Sequence, residues 1–115
     1  MKNIDRSINY IEFAVSDMAR MKQFYGDAFG WSFTDFGPQY CEFTDGHMKG
    51  GFDGASAPAP GGPLVILYGD DLTELAASVV QAGGKITRPA YDFPGGRRFH
   101  FSDPDGYELA VWSSS

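Results

Sequence analysis

One pattern is written twice in this 115-residue chain, and a chain that repeats itself is expected to fold as two copies of one supersecondary unit. Asp17 is followed by an apolar stripe and then by Gly30. Asp71 is followed, at the same spacing, by a second stripe and by Gly84. Further on, Asp45-Gly46 introduces a run that ends at Phe52, and Asp105-Gly106 introduces a run of equal length that ends at Trp112. Between the copies lies GASAPAPGGP, Gly54 to Pro63, which has no periodicity. The length suits one domain over 1–115, with a first module at about 1–53, a linker at about 54–63 and a second module at about 64–115.

The elements within each copy follow from spacing. Ile8 to Val15 alternates as a strand does. Ser16-Asp17 can cap a helix by accepting its orphan N–H groups. Met18, Met21, Tyr25 and Ala28 recur at helical spacing, with Phe24 and Phe29 widening the stripe, and Gly30 suits a left-handed cap. Three extended runs follow, Trp31 to Phe36, Gln39 to Thr44 and His47 to Phe52, separated by the turn pairs Gly37-Pro38 and Asp45-Gly46. The second copy has a strand at Leu64 to Tyr68, a cap at Asp70-Asp71 and a stripe of Leu72, Leu75, Ala76, Val79 and Val80. Strands at Lys85 to Arg88, Arg97 to Ser102 and Tyr107 to Trp112 complete it. The turn-rich segment Tyr91 to Gly96 reads as a flexible flap. The fold class is α+β, two βαβββ modules. Alternation places Ile11, Phe13 and Val15 under the first helix and Tyr10, Glu12 and Ala14 on the opposite, cavity-facing side. In the same way Leu64, Ile66 and Tyr68, and Glu108, Ala110 and Trp112, are expected to face the cavity.

Charge and cysteine content exclude several functions. A net charge of −6 without a basic stripe argues against a nucleic-acid partner. The single Cys41 allows neither an internal disulfide nor a thiolate zinc cluster. No run approaches the roughly 20 apolar residues of a membrane span, and the first residues lack a signal-peptide pattern. The expectation is a soluble, cytoplasmic protein without a membrane partner. An aromatic content of 16% leaves rings to spare for lining a pocket.

The run Phe13-Ala14-Val15-Ser16-Asp17, then Gln23-Phe24-Tyr25 and Ala28-Phe29-Gly30-Trp31, resembles the first half of vicinal oxygen chelate proteins, the superfamily of glyoxalases, bleomycin-resistance proteins and extradiol dioxygenases. Asp70-Asp71-Leu72, Ala82-Gly83-Gly84-Lys85 and Phe101-Ser102-Asp103-Pro104-Asp105-Gly106-Tyr107 resemble the second half. The resemblance implies curved mixed sheets around a cavity, helices on the outer face, and a homodimer. Metal-dependent relatives carry His or Glu ligands on the first, fourth, fifth and eighth strands. Those positions fall here on Tyr10, Gly50, Leu64 and Ala110, none of which is a usual ligand. Neither metal nor other cofactor is therefore expected.

The residues left to carry function are Tyr10, Glu12, Phe52, Tyr68, Trp112 and Arg98 as ligand contacts. A reaction would need Glu12, Glu42 or Glu108 as general base, with His100 or Tyr10 as proton partner. Each has a plainer reading. The rings could be core, Glu12 could pair with Arg97 or Arg98, and His100 could be a hydrogen-bonded core residue. Asp45, Asp103 and Asp105 suit turn geometry, His47 a solvated strand start, and Cys41 a buried inert thiol. The leading expectation is a metal-free binder of a small molecule, resembling the drug-sequestering branch of the superfamily. The rivals are a lyase, isomerase or dioxygenase-like enzyme, and an accessory module with an occluded cavity.

Overall fold

Asp17 and Asp71 perform the same task in the two halves: each accepts the backbone N–H three residues on, from Arg20 and from Glu74. In the computed structural model, which describes residues 3–114, these caps start helices α1 (Met18–Phe29) and α2 (Leu72–Gln81). Around α1 lie strands β1 (Tyr10–Ala14), β2 (Ser32–Asp35), β3 (Tyr40–Thr44) and β4 (Lys49–Asp53). Around α2 lie β5 (Val65–Tyr68), β6 (Lys85–Phe93), β7 (Gly96–Ser102) and β8 (Glu108–Ser113). The sheets have the orders β1-β4-β3-β2 and β5-β8-β7-β6. In each, the first and last strands pair in parallel, which requires the helical crossover between them, and the other pairs are antiparallel. The fold is thus the βαβββ unit, twice. No helix among the described residues is long and apolar enough to cross a membrane.

One core serves both modules. Phe13, Val15, Phe43 and Phe52 from the first sheet join Phe99, Phe101, Leu109 and Val111 from the second, with Met21, Phe24 and Tyr25 of α1 and Val79 of α2. The helices lie side by side, and α1 reaches both sheets through large rings: Tyr25 meets Phe52 at 5.8 Å, and Phe24 meets Phe101 at 6.0 Å. Such rings bury much apolar area each, which is how a short chain fills a two-module interior.

Most strand ends lie within two residues of the sequence reading, and the shifts at β1 and β6 have a plain physical cause. β1 starts at Tyr10, because Ile8, 82% exposed, has no sheet to cover it. The expected flap does not form. β6 runs on to Phe93 and β7 starts at Gly96, with Tyr91 opposite Arg98 and Asp92 opposite Arg97, so that segment is the closed end of a hairpin turning at Pro94-Gly95.

The modules are joined at the turn between β7 and β8. Asp103, 4% exposed, accepts the Tyr25 hydroxyl at 2.7 Å and the backbone N–H groups of Asp105 and Tyr107. Asp105 accepts from the Ser16 amide and hydroxyl, and the Tyr107 hydroxyl donates to the Ala14 carbonyl at 2.7 Å. Asp103 shapes the turn as expected, and both aspartates hold the other module. Burial raises the Asp103 carboxyl above the ordinary aspartate range. Burial, then the neighbouring Asp103, raises the Tyr25 phenol well above its own. Tyr25→Phe removes one donor and is expected to cost about 1 kcal/mol in urea unfolding, whereas Asp103→Ala strands three donors and is expected to cost about 3 kcal/mol or more. Equal costs would show that the joint does not depend on the carboxylate.

Candidate functional site

Each sheet has a second face, turned away from the shared core. On the first sheet, register sets the rows Tyr10–Lys49–Thr44–Ser32 and Glu12–Gly51–Glu42–Thr34, with Tyr40 beyond them on β3. The Tyr40 hydroxyl donates to Glu12 Oε1 at 2.9 Å and lies 2.7 Å from the Tyr10 hydroxyl, which leaves Tyr10 as donor to Tyr40. Lys49 pairs with Glu42 at 3.5 Å. The phenols lie over Gly51 because nothing projects there. A Cβ at that position would overlap the Tyr40 hydroxyl and come within 2.7 Å of Tyr10 Oη. Burial, reinforced by the bonds to Tyr10 and Glu12, raises the Tyr40 phenol far above the ordinary tyrosine range, so Tyr40 keeps its proton and remains a donor.

On the second sheet the rows are Tyr68–Trp112–Arg98–Tyr91 and Ile66–Ala110–His100–Arg88, followed by Glu108 opposite Ser102. β6 shifts register twice, and these irregularities bring Thr87, Arg88 and Tyr91 to one face. A chain of polar contacts runs across it. Thr87 donates to Glu108 Oε2 at 3.2 Å, which lies 3.2 Å from His100 Nδ1. His100 Nε2 lies 2.9 Å from the Tyr91 hydroxyl, and that hydroxyl accepts from Arg98 Nε. A His100 proton on Nδ1, inferred from this network, satisfies every member. Tyr68 and Phe93 stand edge-on to Trp112, at 5.0 Å and 6.2 Å between centroids.

These networks involve most of the residues singled out from sequence. Glu12 and Glu108 both line a groove of about 820 Å³ between the edge strands β1 and β5, with Ile11, Leu64, Ile66 and the linker glycines. Tyr68 lines a second cleft of about 520 Å³ beside Trp31, His47 and Lys49. Tyr10, Glu42, Arg98, His100 and Trp112 stand on the two outward faces. Phe52 does not: it is fully buried against Tyr25 and Phe33, because along β4 the outward position is Gly51. The Gly50 assignment is also corrected. Gly50 backs onto Phe43 and Ile11 in the core. Two residues separate Gly46 from β4 and only one separates Gly106 from β8, so matching their Asp-Gly pairs slips the strands by one and selects the wrong face. Matching the first residues of β4 and β8 pairs Gly51 with Ala110. Glu12 meets neither arginine, since Arg97 holds Asp92 at 3.0 Å and Arg98 holds Tyr91. Cys41 is buried, and burial raises its thiol. Tyr40, Thr87, Arg88 and Tyr91 are the site residues that sequence reasoning passed over. Tyr40 alternates with Glu42 and could have been found. Thr87, Arg88 and Tyr91 depend on bulges that no periodicity reports.

The superfamily metal finds no set of donors. Its positions hold a phenol at Tyr10, alkyl groups at Leu64 and Ala110, and at Gly51 a gap already filled by two hydroxyls. Among the described residues no three His, Cys, Asp or Glu side chains gather to hold an ion. The arrangement can instead stack an aromatic body, bind polar groups at fixed hydroxyls and charges, and pass a proton along Glu108–His100–Tyr91.

The model of the glyoxalase/bleomycin resistance protein/dioxygenase superfamily matches residues 7–111. A protein named "Putative glyoxylase CFP32" from Mycobacterium bovis is 29% identical over 93% of this chain. The chain spans 45% of that relative's length. Among solved structures, a glyoxalase-related enzyme from Fulvimarina pelagi superposes with a TM-score of 0.79 at 24% identity, over 94% of this chain and 88% of that one. The fosfomycin resistance protein FosX from Mesorhizobium loti does so with a TM-score of 0.78 at 18% identity, over 97% and 95%. At these identities the structures speak for the fold alone, while the family match covers nearly the whole chain: it belongs to the glyoxalase/bleomycin resistance protein/dioxygenase superfamily.

Proposed function

We propose that this chain binds small molecules on its outward sheet faces without the metal used elsewhere in the superfamily, and that sequestering such a molecule in the cytoplasm is its function. The observation that carries this reading is the occupation of the space over Gly51 by the Tyr10 and Tyr40 hydroxyls, at the position where a metal-ligating side chain would have to emerge. A ligand site gains affinity from apolar walls and orientation from a few polar groups. Tyr68, Phe93, Trp112 and Ile66 supply the walls, and Glu12, Tyr40, His100 and Arg98 the polar groups. A protein of the same fold carries fosfomycin resistance in its name, and drug binding is a kindred role.

A homodimer belongs to the same reading. In one chain Tyr10, Ile66 and Tyr68 are 37%, 43% and 53% exposed, and a second copy laid over these faces would turn open sheets into a closed pocket. One observation favours the enzymatic alternative, a lyase, isomerase or dioxygenase-like activity: Glu108 orients the His100 ring, as a carboxylate does for a general base.

Three measurements test these statements. Purified protein is expected to contain no stoichiometric metal and to show no glyoxalase activity with or without added nickel or zinc; tightly bound metal at one per chain would overturn the metal-free reading. Gly51→Ala is expected to destabilise the fold by about 1–3 kcal/mol through overpacking, and Tyr40→Ala in the same chain to recover part of that loss in a double-mutant cycle. Light scattering is expected to give twice the 12.6 kDa chain mass, and a mass of one chain would remove the dimer.

A further inference from the structure

We propose that the outward face of the second sheet is a site for organic acids: the pair Arg88 and Arg98 takes an oxyanion, a carboxylate or a phosphoryl-type group, and the Tyr68–Trp112–Phe93 wall takes the apolar body attached to it. The proposal rests on the small-molecule-binding reading and gives that ligand a charge.

The two guanidinium groups are built around one ring. The Arg88 Cζ lies 3.8 Å from the centroid of Tyr91, and the Arg98 Cζ lies 5.5 Å from the same centroid and 5.6 Å from that of Phe93. Cation–π contact holds both heads against the sheet. Arg98 is further fixed by its Nε–H bond to the Tyr91 hydroxyl, and that hydroxyl is itself held by His100. This leaves the two terminal NH₂ groups of Arg98 without a partner among the described residues. Arg88 is exposed and makes no ion pair or hydrogen bond there.

The chain does not lack acids that could have answered these charges. It has 15 Asp and Glu against 9 Lys and Arg. The acids nearby are engaged elsewhere: Glu108 with Thr87 and His100, Asp92 with Arg97. On the first sheet Glu12 accepts from Tyr40 and Glu42 pairs with Lys49. Two like charges facing one ring repel each other, and an anion between them relieves that repulsion. A guanidinium presents its free N–H groups as a planar fork that fits the two oxygens of a carboxylate or phosphoryl group. Because the Arg98 head is already oriented, little freedom is lost when an anion arrives.

The aromatic wall adjoins the charges by register. Arg98 stands directly opposite Trp112, and Trp112 opposite Tyr68, so an oxyanion at Arg98 leaves its body lying along β8 and β5 toward the groove lined by Ile66. A cationic ligand, with which the acidity of the whole chain is compatible, does not match this face.

Calorimetric titration of the full chain with benzoate, phenylphosphonate, benzyl alcohol and benzylammonium tests the proposal. Both acids are expected to bind saturably and to weaken with added salt, with the alcohol and the amine at least about tenfold weaker. Arg98→Gln and Arg88→Gln are each expected to weaken the acids by about tenfold, the loss of one charged hydrogen-bonded contact, while Arg97→Gln leaves them unchanged. Arg88 is exposed, so its variant reports even where Arg98→Gln harms folding. Acids no tighter than the alcohol, or insensitive to both substitutions, would overturn the proposal. Binding of the alcohol or amine without the acids would overturn it and leave the small-molecule reading standing. Silence from all four compounds would overturn both. A change in dimer mass on Arg98→Gln with unaltered acid affinity in Arg88→Gln would assign the arginines to the subunit contact instead.

Discussion

The β7–β8 turn determines how everything else is presented. Asp103 binds its own loop, and through Tyr25 and Ser16 respectively Asp103 and Asp105 bind the first module. A buried carboxylate is costly unless its acceptors are used, and here a phenol and two amides use them. The bonds fix the end of β1 beside the start of β8, and with it the separation of the two edge strands. The groove between β1 and β5, and the angle between the outward faces, therefore follow from one turn. That turn also explains the shared core: α1 reaches Phe101 of the second sheet because Tyr25 is held at Asp103.

Much of this architecture was legible in the sequence, because it rests on periodicity. The repeat of Asp17–Gly30 in Asp71–Gly84 specified two capped helices, and alternation in β1 placed Phe13 inside and Glu12 outside, as found. Legibility failed where one residue decides the face. Two loops carry the same Asp-Gly pair at distances from the next strand that differ by a single residue, and reading them as equivalent put Gly50 and Phe52 on the wrong side of β4. It failed again at β6, which runs on past Arg88 through two register shifts to take in Tyr91, a residue that reads as part of a flap. Bulges leave no periodic trace, and a pattern-based reading passes over them.

Overall charge does not describe either outward face, for a related reason. The net charge of −6 is a sum over the surface, whereas a ligand meets one face. The first sheet presents Glu12 and Glu42, each already paired with a donor. The second presents two guanidinium heads beside a single tyrosine. A chain can be acidic in total and still present unpaired cations on one face.

The same comparison separates binding from catalysis on these faces. A general base must reach a substrate proton while its own partners hold it in place. Glu12 accepts from the Tyr40 phenol, so its free oxygen is available but its position depends on Tyr40. His100 is 8% exposed, with both ring nitrogens in hydrogen bonds, so proton transfer to a ligand would have to pass through the Tyr91 hydroxyl or the Glu108 carboxylate. That hydroxyl also accepts from Arg98, and its proton is directed at His100. An oxyanion at Arg98 would thus meet the free guanidinium N–H groups beside a Tyr91–His100–Glu108 network already satisfied within the protein. Such a network holds a charged ligand in one orientation more readily than it exchanges protons with it.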